Sequence, residues 1–269
     1  MIKKNYLENL NNSKKSFIIY KSNKGFDLYT DFSKKIILTK NNIEGFINQC
    51  VKLKSKKKET DLFIGFFGYE VLNNLIGIKV KKQKGLKFPK GIFYKPETKQ
   101  KLPNKLNYKN LEIIRPNKLF KININKSSYK VIFNKFKKKI KSGETYQIKI
   151  CTKYSNKTQI DALDFFCRLV KSNMAPEAFM IKDKDYSIIS CSPENLINKK
   201  NDLITTKPIA GTLKKTKKLN KIKALMFFKR NIKESKEHNM IVDMERSDLS
   251  KICKAGSVKI LKKKIVEEY

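Results

Sequence analysis

The chain of 269 residues carries a formal net charge of +38, from 62 Lys and Arg against 24 Asp and Glu. Its length is enough for one large or two small domains with a real core, and no stretch approaches the roughly 20 apolar residues of a membrane span. The only histidine, His238, excludes multi-histidine metal sites and restricts Ser/His/Asp catalysis to that one residue.

The lysines and the cysteines limit the possible partners and the compartment. A charge of this size would suit a nucleic-acid binder, but the lysines are spread through nearly every segment, which argues against nucleic acid. A steep salt dependence of DNA affinity would support that alternative. Five cysteines without a CxxC pair, and a start without a long apolar run, predict reduced thiols and a cytoplasmic protein that does not enter the membrane.

The first part of the chain is predicted to begin with an antiparallel sheet. Alternating apolar residues predict strands within residues 16–39, with a turn from Ser22 to Gly25. Apolar residues at helical spacing predict a helix over residues 43–51. Residues 79–110 are rich in Lys and Pro and are interpreted as a long excursion.

The second part mixes helices and hairpins. A helix capped by Asn125, Ser127 or Ser128 is predicted to end at Gly143. Its predicted core face consists of Tyr129, Ile132, Phe133, Phe136 and Ile140. The elements predicted after it are a strand (146–154), a helix (about 159–171), a hairpin with its turn at 182–185, a second hairpin (195–212) and a strand (257–261). This order predicts an α+β fold with antiparallel sheet, divided into an N-terminal region, 1–115, and a second region, 122–269.

The segment Asn231–Ser250 is predicted to be a helix that carries chemistry. At 3.6 residues per turn, Glu234, Glu237 and His238 lie on one face. Two carboxylates one turn apart repel unless a cation lies between them, and an oxygen-seeking ion such as Mg²⁺ would relieve that repulsion. The alternative on pattern alone is a solvated Glu/Lys helix face.

A family resemblance rests on four ordered motifs. They are SGETYQIKI (142–150), SCSPENL (190–196), TTKPIAGT (205–212) and KESKEHNMIVDMERSDLSKICKAGSVKI (233–260). Together they resemble the chorismate-utilising enzymes, specifically the large subunits of anthranilate synthase and aminodeoxychorismate synthase. The upstream GFFGYE (65–70) is similar to the family's amino-terminal glycine-tyrosine motif. The resemblance extends from about residue 60 to the last residue and implies the family's α/β sandwich with antiparallel sheets.

The resemblance also implies site residues. Glu194 would act as the general acid that protonates the departing ring hydroxyl of chorismate. Glu234 and Glu237 would hold Mg²⁺, whose open positions bind the ring carboxylate. The substrate-binding residues implied by the PIAGT motif are Ala210, Gly211 and Thr212, of which Thr212 would also place a hydroxyl near the leaving group. His238 is interpreted as a structural hydrogen-bonding residue.

Two positions discriminate among family members. Relatives that add water to chorismate carry a Lys base where this chain has Gln147, so the resemblance implies ammonia as the nucleophile. Aminodeoxychorismate synthases usually carry a Lys within the PIxGT motif that attacks the ring covalently. Ala210 stands at that position here, as in anthranilate synthases. The expected reaction is therefore the amination of chorismate to anthranilate and pyruvate, with ammonia from a glutamine amidotransferase subunit. Aminodeoxychorismate synthase is the alternative, favoured by the absence of a recognisable tryptophan-inhibition segment.

The C-terminus departs from the family pattern. The chain stops before the family's HLVS-type histidine, the GSITGAPK-type loop and the second metal carboxylate. Roughly the last third of a normal subunit is therefore expected to be missing, and the fold is expected to be truncated. An enzyme without those residues is expected to be inactive on its own, so an inactive remnant that retains a partner surface is a further alternative.

Overall fold

The computed structural model describes residues 6–52, 58–69, 71, 76–78, 88–108, 120–156 and 160–268. Contacts divide the chain into two compact units, one formed by Met1–Tyr108 with Ala162–Tyr269 and one formed by Lys109–Asp161. The larger unit thus combines segments from both regions predicted from the sequence. The division into 1–115 and 122–269 stays a prediction.

The described residues contain both strands and helices. The strands are β1 (Phe17–Ser22), β2 (Gly25–Ile37), β3 (Ile64–Phe67), β4 (Gly91–Leu102), β5 (Lys121–Ile122), β6 (Tyr154–Ser155), β7 (Glu177–Lys182), β8 (Ser187–Ser192), β9 (Asn198–Lys200) and β10 (Leu203–Thr205). The helices are α1 (Tyr6–Asn12), α2 (Ile43–Lys52), α3 (Lys126–Lys141), α4 (Ala162–Ser172), α5 (Lys221–Arg230) and α6 (Ile232–Ser250). No helix among the described residues has the length and apolar character needed to cross a bilayer.

The larger unit is built on one six-stranded antiparallel sheet. Its strand order is β3-β4-β2-β1-β7-β8, so the hairpin β7–β8 joins the N-terminal strands through β1. The short hairpin β9–β10 forms a sheet of its own. The α+β prediction, the turn between β1 and β2, the helix α2 and both hairpins of the second part are confirmed.

The long strand β4 was not predicted. It lies within the segment interpreted as an excursion, and it pairs with β2 on one side and β3 on the other. Lysines on β4 are neutralised across the strands, since Lys99 Nζ lies 3.3 Å from Asp27 Oδ2 and Lys101 also contacts that carboxylate. Burial acts to raise the pKa of Asp27, but the two lysines hold it below its ordinary value.

One of the buried hydrophobic clusters lies between the sheet and α4. Buried residues of α4, among them Leu163 and Phe166, pack against the sheet residues Phe17 and Phe26. The Phe26 and Phe166 rings meet edge to face with centroids 6.0 Å apart. The predicted amphipathic helix over 159–171 is confirmed, and its burial fixes the hairpin β7–β8 beneath it.

A polar network is buried at the turn of the β7–β8 hairpin. Asp183 is 5% exposed and lies 2.6 Å from Lys35 Nζ. Its carboxylate also accepts hydrogen bonds from the Ser16 hydroxyl at 2.9 Å and from Tyr94. Burial acts to raise the pKa of Asp183, but these partners lower it well below its usual range. The turn is therefore tied to β1, β2 and β4.

The smaller unit contains α3 and the two-residue pair β5–β6. Asn125 caps α3 by accepting the Ser128 backbone N–H at 2.8 Å, and Gly143 follows its end with φ +77°, as predicted. The predicted core face is wrong, because none of the residues of α3, all of them described, is buried. The strand predicted over 146–154 is reduced to β6, since only Tyr154 and Ser155 pair with another strand.

Candidate functional site

The SPE motif forms a tight turn at the end of β8. The Ser192 hydroxyl accepts the backbone N–H of Glu194 at 3.2 Å and lies 3.0 Å from the Glu194 carbonyl oxygen, to which it can donate. This local pattern is a serine turn that any strand end could contain. On its own it would indicate nothing more than the end of the strand.

The Glu194 side chain connects this turn to the PIAGT motif. The backbone N–H of Ile209 donates to Glu194 Oε1 at 2.8 Å. Glu194 is exposed, and its second carboxylate oxygen has no hydrogen bond among those described. Two of the four sequence motifs are therefore in direct contact, through a bond that fixes the carboxyl group and leaves one oxygen available.

The PIAGT segment packs against the helix α6. Gly211 has φ +79°, and a Cβ built there would lie 2.6 Å from Phe228 Cε1 and 3.0 Å from Glu234 Oε2. Only glycine combines this left-handed conformation with so close an approach. The Thr206 hydroxyl contacts the Glu245 carboxylate of α6 at the other end of the segment. The third and fourth motifs therefore meet through backbone and side chain.

The two candidate metal carboxylates lie around a lysine. Asn231 caps α6 by accepting the Glu234 backbone N–H at 3.2 Å. Lys233 Nζ lies 3.3 Å from Glu234 Oε1 and 3.6 Å from Glu237 Oε2, and the pKa of Lys233 is raised by the hydrogen bond to Glu234 and then by both charges. The cation between the carboxylates is thus an ammonium group in this structure.

A cavity of about 1620 Å³ lies beside these motifs. It is formed by residues 202–213, α5, α6 and residues 252–268. The predicted site residues that line it are Ala210, Gly211, Thr212 and Glu234. Glu237 and Glu194 do not line it, although the neighbouring Pro193 does. Across the described residues, no three His, Cys, Asp or Glu side chains gather in a way that could hold a metal ion.

His238 also lines the cavity, one turn after Glu234. Its Nδ1 atom is buried and has no hydrogen-bond partner in the described part of the chain. Burial lowers the pKa of His238, and the nearby charges of Lys264 and Lys263 lower it further. His238 is therefore a neutral imidazole at neutral pH. The structural hydrogen bond expected for it is not present among the described residues.

Residues after α6 complete the cavity wall in a way that the sequence did not predict. Residues 257–261, all described, form no strand. Instead, Lys207 Nζ lies 2.5 Å from Glu267 Oε1 and Lys215 Nζ lies 2.5 Å from Glu268 Oε2. Glu267 and Glu268 are the only acidic residues after Asp248. This isolated acidic pair, together with the lysines that flank the PIAGT motif, is the sequence signal from which the two ion pairs could have been predicted.

Gln147 belongs to the smaller unit, which is described by itself. It is exposed, in an irregular stretch where the Thr145 hydroxyl donates to its carbonyl oxygen at 3.3 Å. Its predicted part in the chemistry therefore rests on the sequence motif alone.

Comparisons with known proteins agree with these motifs. A family model described as chorismate binding enzyme matches residues 5–269. Aminodeoxychorismate synthase component 1 of Bacillus subtilis is 34% identical over 136 residues, which cover 50% of this chain and 29% of that protein. Anthranilate synthase component 1 of Buchnera aphidicola subsp. Pemphigus spyrothecae is 32% identical over 158 residues, covering 55% and 30%. The chain thus spans less than a third of either relative.

A solved structure has the same fold. The crystal structure of anthranilate synthase component I from Streptococcus pneumoniae TIGR4 matches with a TM-score of 0.65 and 20% sequence identity. The match covers 95% of this chain and 64% of the solved chain. The predicted fold is confirmed by this likeness.

Proposed function

The chain belongs to the chorismate binding enzymes, and on that premise we propose that it takes part in the amination of chorismate. The proposed reaction joins chorismate and ammonia to give anthranilate, pyruvate and water. The observation that carries this proposal is the hydrogen bond from the Ile209 N–H to Glu194 Oε1. It joins the candidate acid to the segment that lines the cavity.

The proposed role of Glu194 is proton donation to the departing ring hydroxyl, which leaves as water. The Ile209 N–H binds one carboxyl oxygen, which leaves the other oxygen available to the departing hydroxyl. The fixed bond keeps the carboxyl group in one orientation, which is the contribution of positioning to catalysis. Thr212, which lines the cavity, would hydrogen-bond the substrate, and Gly211 lets the backbone come close.

Ammonia as the nucleophile is supported by Gln147 in the YQIKI motif. An amide side chain is not basic and does not deprotonate water, whereas ammonia brings its own lone pair. We therefore propose that isochorismate is not a product. A glutamine amidotransferase subunit is the proposed ammonia source, and the cytoplasm is the proposed compartment.

Mg²⁺ is the proposed cofactor, with Glu234 and Glu237 as the residues that would hold it. Their donor chemistry fits, because carboxylate oxygens suit Mg²⁺ and the pair already accommodates the charge of Lys233. When bound, the ion would supply positive charge for the substrate's ring carboxylate. Glu234 would be the ligand on the cavity side, since it lines the cavity and approaches Gly211.

A second candidate function is the synthesis of aminodeoxychorismate. Ala210 favours anthranilate, because no lysine amine stands at that position for covalent attack on the ring. The Bacillus subtilis relative, named an aminodeoxychorismate synthase, favours the second product. Both reactions consume chorismate and ammonia, and they differ in whether pyruvate is eliminated.

The test is product analysis with the purified chain. The chain is incubated with chorismate, ammonium chloride and MgCl₂. We expect the formation of fluorescent anthranilate. Mass spectrometry would detect aminodeoxychorismate, which would favour the second candidate, or isochorismate, which would contradict amination.

The acid is tested in the same assay. Glu194→Gln should abolish product formation while chorismate binding, measured by equilibrium dialysis, is retained. Glu44→Gln replaces an exposed glutamate on α2 and should leave the rate unchanged. Undiminished turnover by Glu194→Gln would remove Glu194 from the mechanism.

A further inference from the structure

Glu177, the first residue of β7, makes contacts that none of the sequence motifs explains. It pairs with Ser192 in the antiparallel ladder of β7 and β8. Its carboxylate accepts a hydrogen bond from the Tyr20 hydroxyl and another from Asn195 Nδ2, the latter at 3.0 Å. One side chain thus joins β1, β7 and the chain that leaves β8.

The contact with Asn195 is informative because Asn195 follows Glu194 directly in the sequence. On its N-terminal side, the SPE turn begins at Ser192, which is held in the ladder opposite Glu177. On its C-terminal side, the turn is held by the Asn195 side chain, again through Glu177. The backbone of Glu194 is therefore fixed to the sheet on both sides by the same residue.

Tyr20 fixes the Glu177 carboxylate in turn. It pairs with Phe179 of β7, which lies two residues from Glu177 and so on the same face of the sheet. The Tyr20 hydroxyl then reaches the carboxylate diagonally across the strands. Burial raises the pKa of Tyr20, and the hydrogen bond to Glu177 raises it further. Tyr20 therefore remains a proton donor to Glu177 throughout the neutral range.

We propose that Glu177 is a positioning residue that sets the location of the Glu194 carboxyl group through Asn195. The inference rests on the proposed function for the identity of Glu194 as the acid, but the geometry stands on the contacts alone. A carboxylate that accepts two hydrogen bonds is a firm anchor, since bonds to charged groups are the stronger ones. Without it, the contacts described for the turn are the Ser192 hydroxyl, the ladder and the bond between Ile209 and Glu194.

The Ile209 amide reports directly on the position of Glu194, because its N–H donates to Glu194 Oε1. Hydrogen exchange at this amide, followed by NMR on the full chain, requires no turnover. Asn195→Ala and Glu177→Ala should each accelerate Ile209 exchange by about tenfold, the effect of one lost hydrogen bond of ordinary strength. Asn198→Ala, three residues further on and exposed, should leave it unchanged.

Two further readouts separate positioning from general loosening of the sheet. Amides of the β1–β7 ladder, such as that of Ile19, should keep the exchange rates of the unmodified chain in both variants. The double variant of Glu177→Ala and Asn195→Ala should match either single variant, because both remove the same contact. Unchanged Ile209 exchange, additive effects, or equal acceleration across the ladder would overturn the proposal.

The catalytic consequence is tested in the amination assay described for the proposed function. Asn195→Ala should lower kcat about tenfold with little change in KM, because Glu194 acts on the leaving group rather than on ground-state binding. A rise in KM alone would overturn the positioning role. If the unmodified chain yields no aminated product under any condition, the proposed function fails, while the exchange results still decide whether Glu177 positions Glu194.

Discussion

Replacing Gly211 by alanine should destabilise the segment that carries the PIAGT motif, for two separable reasons. The left-handed conformation, with φ +79°, costs an L-residue about 1–2 kcal/mol. The new methyl group would also lie 2.6 Å from Phe228 Cε1, and overpacking of this kind costs about 1–3 kcal/mol. The lower entropy of the unfolded chain offsets about 0.4–1 kcal/mol. The net loss of unfolding free energy is therefore about 1–5 kcal/mol.

Gly256 is a matched control for the conformational part. It has φ +71°, and a Cβ there would meet nothing within 4 Å. Gly256→Ala should therefore lose only the conformational contribution, at most about 1–2 kcal/mol. The difference between the two variants measures the contact with Phe228 and Glu234.

Urea unfolding followed by circular dichroism gives the free energies, and hydrogen exchange over residues 207–215 gives the local effect. Gly211→Ala should have the lower unfolding midpoint and the faster exchange at residues 207–215. Equal midpoints for the two variants would refute the reasoning, because they would show that the PIAGT segment does not approach Phe228 of α5 and Glu234 of α6 as closely as the structure indicates.

Three further predictions test other parts of the larger unit. Hydrogen bonds and an ion pair lower the folded pKa of Asp183, so its contribution to the free energy of unfolding is present above about pH 4 and is lost as the pH falls. Asp183→Asn should reduce stability at pH 7 by about 2–3 kcal/mol, and stability measured in urea titrations should then depend less on pH in the acid range. Phe166→Ala should cost about 3–5 kcal/mol, whereas Phe165→Ala, at a side chain 44% exposed, should cost far less in the same titrations. Glu267→Gln should increase hydrogen exchange over residues 257–268, and 1 M NaCl should do the same to the unmodified chain.

The features that the sequence predicted well are those set by residues close together in the chain. The cap at Asn125, the turn before Gly25 and the hairpin turn near Asp183 each follow from residues within a few positions of one another. Three of the four motifs also led to a cavity and to contacts between neighbouring motifs. The cap and the two turns have in common that side-chain and backbone preferences decide them without a distant partner.

Elements that depend on a distant partner were missed or wrong. The strand β4 carries a lysine-rich sequence that favours a loop, and it forms because β2 and β3 lie on both sides and Asp27 neutralises its lysines. Residues 146–154 and 257–261 show the opposite error, because a strand was predicted for each of them. Their alternating pattern suits a strand, but a strand exists only where another strand supplies its hydrogen bonds, and among the described residues only β6 finds one.

Glu234 borders the cavity and Glu237 does not, and this difference shows why a helical pattern alone does not define a site. Three positions along a helix turn a side chain by about 300°, so the two carboxylates differ in direction by about 60°. Periodicity therefore places both on the same general face and cannot decide which one borders the cavity. That choice is made by a segment far away in sequence, because Gly211, lacking a Cβ, lets the PIAGT backbone approach the Glu234 carboxylate. Gly211 of one motif and Glu234 of another therefore depend on each other in the fold, although they belong to separate motifs in the sequence.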